Sequence, residues 1–85
     1  MTALTAAERK ILGALAEIGG IVTGDVARQA KAFPSARPQL ASAWTRSHLL
    51  ILEKSGFVAR LDAERPVCWL RTAEGTRALE MGDAA

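Results

Sequence analysis

Apolar residues recur along the chain with a period that switches from helical to alternating and back. Ile11, Leu12, Leu15 and Ile18 repeat at helical spacing and predict an amphipathic helix over about 5–18. Thr5-Ala6-Ala7-Glu8 has the form of a capping box at its start. The Thr5 hydroxyl is placed to accept from the Glu8 amide, and the Glu8 carboxylate to accept from the Thr5 amide. Gly19-Gly20 is positioned to end this helix, because glycine tolerates the left-handed conformation of a C-terminal cap. Ile21-Val22 reads as a short extended link, able to lie as a small strand beside later ones.

Thr23 is the expected N-cap of a second helix over about 23–32, with Asp25 in its positive first turn and Val26, Ala27 and Ala30 on its apolar side. Phe33-Pro34 stops it, since the residue before a proline avoids the helical region. The same restriction at Arg37-Pro38 starts a third helix, with Pro38 at its first position, where the missing amide hydrogen costs nothing. This helix is expected to run over about 38–54 and to be capped by Gly56. Two strand-like runs follow, Phe57 to Leu61 and Val67 to Arg71, separated by the polar turn Asp62-Ala63-Glu64-Arg65-Pro66. Pro66 suits a strand edge, where its missing donor is tolerated. Thr72 then caps a last helix over about 72–81, with Ala78, Leu79 and Met81 inward, and the tail Gly82 to Ala85 is expected to fray. The pattern predicts a mostly helical α+β fold: three helices, a hairpin and a short C-terminal helix in one domain spanning 1–85.

On a helical wheel of about 100° per residue, Ala41, Thr45, His48, Leu49 and Leu52 share one side of the third helix, the predicted core face. Gln39, Ala43, Arg46, Leu50 and Lys54 lie on the other side, with Ser47 close by. Leu40, Trp44 and Ile51 form a flank between the two. Trp44 and Ile51 are expected to be buried against the hairpin or the last helix. Leu50 points outward and stays open between solvent exposure and a partner surface. His48 is expected to be a hydrogen-bonded boundary residue, and Cys68 a small core residue.

Length and composition narrow the class. A chain of 85 residues supports one modest core. Hydrophobic residues make up 49% and charged residues 24%, as in ordinary globular proteins. No apolar run reaches the roughly 18 residues a membrane span needs, and Met1-Thr2-Ala3-Leu4 lacks the features of an export signal. With one cysteine, Cys68, no internal disulfide forms, and a cytoplasmic location is expected. One histidine and one cysteine cannot assemble the usual zinc ligand set. No phosphate-binding loop, dinucleotide fingerprint or nucleophile elbow is present. The chain is therefore expected to be neither an enzyme nor a cofactor-binding protein.

The net charge of +2 is small, but it is unevenly placed. Residues 34–56 carry Arg37, Arg46 and Lys54 against Glu53, and 57–71 carry Arg60, Arg65 and Arg71 against Asp62 and Glu64. The last segment is acidic, with Arg77 against Glu74, Glu80 and Asp83. Positive charge thus falls on the third helix and the hairpin, as a nucleic-acid footprint would.

Helix, hairpin and helix in this order form the skeleton of a winged helix-turn-helix. Leu49-Leu50-Ile51-Leu52-Glu53-Lys54-Ser55-Gly56-Phe57-Val58-Ala59-Arg60 resembles the end of the recognition helix and the start of the wing in MarR- and PadR-like regulators. Leu70-Arg71-Thr72-Ala73-Glu74-Gly75 resembles their wing strand turning into the next helix. The opening Leu4-Thr5 through Leu15 is also similar to theirs, so the resemblance covers 4–81. It implies that Arg46 and its neighbours enter the major groove of duplex DNA and that Arg65, at the wing tip, contacts the backbone or minor groove. The chain lacks the long extra helices with which those regulators dimerise and, in some, enclose an effector. Its wing turn also carries Asp62 and Glu64, which repel phosphate unless they point away.

The expected DNA-binding residues are Arg37, Gln39, Ser42, Ala43, Arg46, Ser47, Lys54, Arg60 and Arg65. Arginine can bond guanine bidentately, glutamine can bond adenine, and serine can reach phosphates or bases. The function expected is a small transcriptional regulator of double-stranded DNA, with a homodimer on a palindromic site as the usual arrangement. Two other readings stand beside it: a merely solvated helix face, and a winged-helix adaptor that binds another protein.

Overall fold

A computed structural model describes residues 4–61 and 67–82. The element order is α1 (Ala6–Ala14), β1 (Ile21–Val22), α2 (Thr23–Ala30), α3 (Pro38–Lys54), β2 (Val58–Leu61), β3 (Cys68–Arg71) and α4 (Ala73–Gly82). The helices α1, α2 and α3 pack on one another, α4 returns onto α1, and the strands form an antiparallel sheet with β3 between β1 and β2. This order is consistent with a winged-helix-like topology, with the β2–β3 hairpin in the place of the wing. The acidic and proline-containing turn that holds Asp62, Glu64, Arg65 and Pro66 lies outside the described residues; of the tail 82–85 expected to fray, Gly82 is the last residue of α4 and 83–85 lie outside the described residues.

The capping box of α1 forms in full: the Glu8 amide donates to Thr5 Oγ1 at 3.1 Å, and the Thr5 amide donates to Glu8 Oε1 at 2.9 Å. The helix ends earlier than its sequence period suggests. Leu15 turns extended, and Ile18, expected to face inward, is 89% exposed. The cause is a tertiary competitor. The Arg71 amide donates to the Ala16 carbonyl at 2.8 Å, and the Arg71 guanidinium donates to the Leu12 carbonyl at 3.0 Å. Leu12 O also accepts from the Leu15 amide at 3.1 Å, and the added cation complements the carbonyl end of α1. Gly19 still makes a turn, at φ 83°, but in the link rather than at the helix terminus.

β1 runs directly into α2, so the N-cap is Val22 rather than Thr23, and no side chain caps this end. Thr23 becomes the first helical residue, and its hydroxyl accepts from the Trp69 indole at 2.8 Å. At the other end Lys31 adopts the left-handed conformation, φ 50°, and α2 stops at Ala30, just ahead of Phe33-Pro34. The third helix starts with Pro38 and finishes in a Schellman motif. The Gly56 amide donates to the Glu53 carbonyl at 3.0 Å and the Phe57 amide to the Leu52 carbonyl at 2.9 Å, with Gly56 at φ 86°. This geometry needs glycine and turns the chain sharply into β2.

The core consists of Ile11, Leu12 and Leu15 from the α1 region, Val26 and Ala30 from α2, Leu49 and Leu52 from α3, and Val58 and Trp69 from the sheet. Thr45 is the buried polar residue among them. The predicted core face of α3 is therefore the buried one, with Ala41 and His48 half-buried at its edge. Ala78 and Leu79 of α4 are half-buried, and Leu79 packs against the core. Cys68 is half-buried on the sheet face opposite Trp69, where the Gly20 backbone comes against it, and not in the core. The expected burial of Trp44 and Ile51 does not occur; they are 45% and 54% exposed, and Leu40 is 47% exposed. β2 packs on another side of α3 and α4 packs on α1 and β3, which leaves this flank of α3 uncovered.

Candidate nucleic-acid interface

The outer face of α3 is an exposed row. Gln39, Ala43, Arg46, Ser47 and Lys54 are all exposed, and Ser42 is half-buried. Arg37, the N-cap residue, is exposed as well, and no acid stands in the first turn of α3. Positive helix dipole and cation thus coincide at this end, with no protein carboxylate in that turn to offset them. The Ser47 hydroxyl donates to the Ala43 carbonyl one turn back at 3.1 Å, which turns it partly toward its own helix. Lys54 lies in the last turn, where a cation complements the carbonyl end of the helix.

Arg46 faces a cleft of about 530 Å³ between α3, the start of α2 and the hairpin. Ser42, Ala43 and Arg46 form the α3 wall, and Thr23 and Gly24 come from the uncapped start of α2. The third wall is the sheet, with Arg60 and the edge of Trp69. Strand pairing explains how Arg60 reaches it. Arg60 lies directly opposite Trp69, so both side chains project from the same sheet face, the one that packs on the helices. Val58 on the same face is buried in the core. Arg60, two residues on, extends past the core's edge, and its guanidinium carbon sits 5.8 Å from the centre of the Trp69 ring. Its Nε also pairs with Glu53 on α3 at 3.3 Å. Of the expected site residues, the cleft gathers Ser42, Ala43, Arg46 and Arg60. Arg37, Gln39, Ser47 and Lys54 lie along α3 outside it, and Arg65 lies outside the described residues.

The structure revises the charge map in one place. Arg71 is turned inward and donates to the Thr76 hydroxyl at 2.9 Å as well as to Leu12 O. It holds the ends of α1 and α4 and does not add to the outer charge. Strand alternation carries the signal for this, because Arg71 shares a face with the core residue Trp69, two positions earlier. Val22, Thr23, Gly24, Val67 and Trp69 also line the cleft and are not among the expected site residues. Thr23 reads as a helix cap but is committed to Trp69, and Gly24 supplies backbone at the cleft through a helix start that lacks a side-chain cap.

Among the described residues, no helix is long and apolar enough to cross a membrane. No family model matches the chain, and no curated protein or solved structure matches it either.

Proposed function

We propose that the chain is a small cytoplasmic regulator that binds double-stranded DNA through the outer face of α3 and the adjoining hairpin. The observation that carries this reading is the cleft in which Arg46, Arg60 and the uncapped start of α2 converge. Arg46 and the start of α2 contribute positive potential, Arg60 less so because Glu53 pairs with it, and a concave, partly apolar wall strengthens the field inside it. A phosphate backbone is the extended polyanion that suits such a cleft continuing into an exposed helix face. Arg46 lies near the middle of α3, where a side chain inserted in the major groove reaches base edges, and Gln39 and Ser42 lie one to two turns N-terminal to it. Arg37 and Lys54, at the two ends of the helix, serve the backbone rather than the bases. The similarity of Leu49–Arg60 and Leu70–Gly75 to MarR- and PadR-like regulators supports the same class of activity.

A protein-binding adaptor is favoured by one observation on the same face. Leu50 is 40% exposed between Arg46 and Lys54, where a pure phosphate-binding surface has no use for leucine.

Duplex titrations at several salt concentrations separate the two. A groove reader loses affinity steeply as salt rises, because each neutralised phosphate releases counterions. Arg46→Ala should weaken binding to the preferred duplex by about 1–3 kcal/mol and relax preference at one base position. Absence of duplex binding at low salt, or wild-type binding by the Arg46→Ala protein, gives the face to a protein partner instead.

A further inference from the structure

The exposed apolar flank of α3 forms a seam. Leu40, Trp44, Ser47 and Ile51 follow one another at alternating spacings of four and three residues, the heptad rhythm that lets one helix lie along another. The seam lies on the side of α3 away from the Arg46 cleft. Its central residue is held in place: Phe33 meets the Trp44 ring edge-on at 5.3 Å and the His48 ring at 5.4 Å, and His48 Nδ1 hydrogen-bonds the Trp44 carbonyl at 2.9 Å. A half-exposed tryptophan packed from behind loses little freedom when it is covered, which is what an interface anchor requires.

The charge around the seam identifies its occupant. Arg37 precedes it and Lys54 ends it. The one acid on α3, Glu53, is directed to Arg60 on the opposite side. A second copy of this chain fits poorly. Antiparallel pairing about Ser47 sets Trp44 against Ile51 but places Lys54 over Leu40, beside the partner's cationic end, and parallel pairing stacks each cation on its own equivalent. We propose that the seam docks an amphipathic helix of another protein, one with apolar residues at heptad spacing and flanking glutamates or aspartates. Such a helix covers Leu40, Trp44 and Ile51 and meets both cations with opposite charge. The apolar seam lies off the Arg46 cleft but shares Arg37, Ser47 and Lys54 with the proposed DNA face, so a docked helix and a duplex compete for the two cations.

The test uses the full chain without DNA, so its outcome is independent of duplex binding. The probe is a synthetic helix of about twenty residues, with leucine at the heptad core positions and glutamate flanking them. Trp69 is 2% exposed and Trp44 is 45% exposed, so quenching of tryptophan fluorescence by acrylamide reports on Trp44. The glutamate peptide should shift the emission to the blue and protect it from quenching in a saturable way. Ile51→Glu should weaken this by about tenfold or more while leaving the thermal melt unchanged, and a lysine-flanked peptide should not bind. The proposal is overturned if the glutamate peptide has no effect at about 1 mM, a concentration that detects even millimolar affinity, or if the lysine peptide binds equally well. It is also overturned if the wild type sediments as a dimer that Ile51→Glu converts to monomer, which assigns the seam to a second copy.

Discussion

The Trp69 indole donates to the Thr23 hydroxyl at 2.8 Å, joining the middle strand of the sheet to the first turn of α2 across 46 positions of sequence. The ring is buried, so its N–H has no solvent to fall back on. Thr23→Val keeps the shape and removes the acceptor, and should destabilise the domain by about 1–3 kcal/mol. Thr23→Ser should restore most of that. Denaturant melts of the two variants supply the comparison.

Leu52 and Leu50 are neighbours on α3 with opposite environments, 1% and 40% exposed. Leu52→Ala should cost about 2–5 kcal/mol, because a small core collapses poorly around a missing side chain. Leu50→Ala should cost well under half as much. Equal losses in urea titrations would show that Leu50 is also buried in solution.

Arg71 and Arg46 offer a second contrast. Removing Arg71 by Arg71→Leu deprives the Leu12 carbonyl and the Thr76 hydroxyl of a charged donor. A loss of about 1.5–3 kcal/mol is expected, the size typical of hydrogen bonds to charged groups. Arg46→Ala should stay within about 0.5 kcal/mol of wild type in the same melts. A neutral Arg71→Leu would mean that these contacts do not hold the domain together.

Glycines at two helical positions should respond with opposite sign. A Cβ on Gly75 meets the Phe57 carbonyl oxygen and the Arg71 side chain, so Gly75→Ala must push α4 off the sheet and should cost about 1–3 kcal/mol. A Cβ on Gly13 meets nothing within 4 Å, so Gly13→Ala, in the last turn of α1, should stabilise by up to about 0.5 kcal/mol. Thermal melts of both proteins read the signs directly.

The elements that local chemistry decides are legible in the sequence. Thr5 and Glu8 close their capping box without help from the rest of the chain, Pro38 opens α3, and Gly56 ends the helix with a motif only a few residues long. Where distant groups compete, the sequence misleads. Ile18 keeps the helical period of α1, yet a strand more than fifty positions away takes the backbone at Ala16 and ends the helix. Thr23 has the composition of a cap, and Trp69 claims its hydroxyl. At the candidate site, the exposed row on α3 follows from its period alone. The position of Arg60 follows only from strand register, which sets it opposite Trp69 and within reach of Glu53. The exposure of Trp44 and Ile51 is not written in the helix itself, since it depends on where the hairpin and α4 come to rest.

The corner after α3 and the corner before α4 are one place. The Thr72 hydroxyl donates to the Gly56 carbonyl at 2.7 Å, the Thr72 amide donates to the Phe57 carbonyl at 3.0 Å, and the Gly75 amide returns to Thr72 Oγ1 at 3.0 Å. The hairpin leaves from this knot and comes back to it. Partial opening of the native state therefore cannot lift the hairpin away while α4 stays capped. The strand amides of β2 and β3 and the first-turn amides of α4 should exchange with solvent hydrogen as a single cooperative unit, with one opening free energy between them.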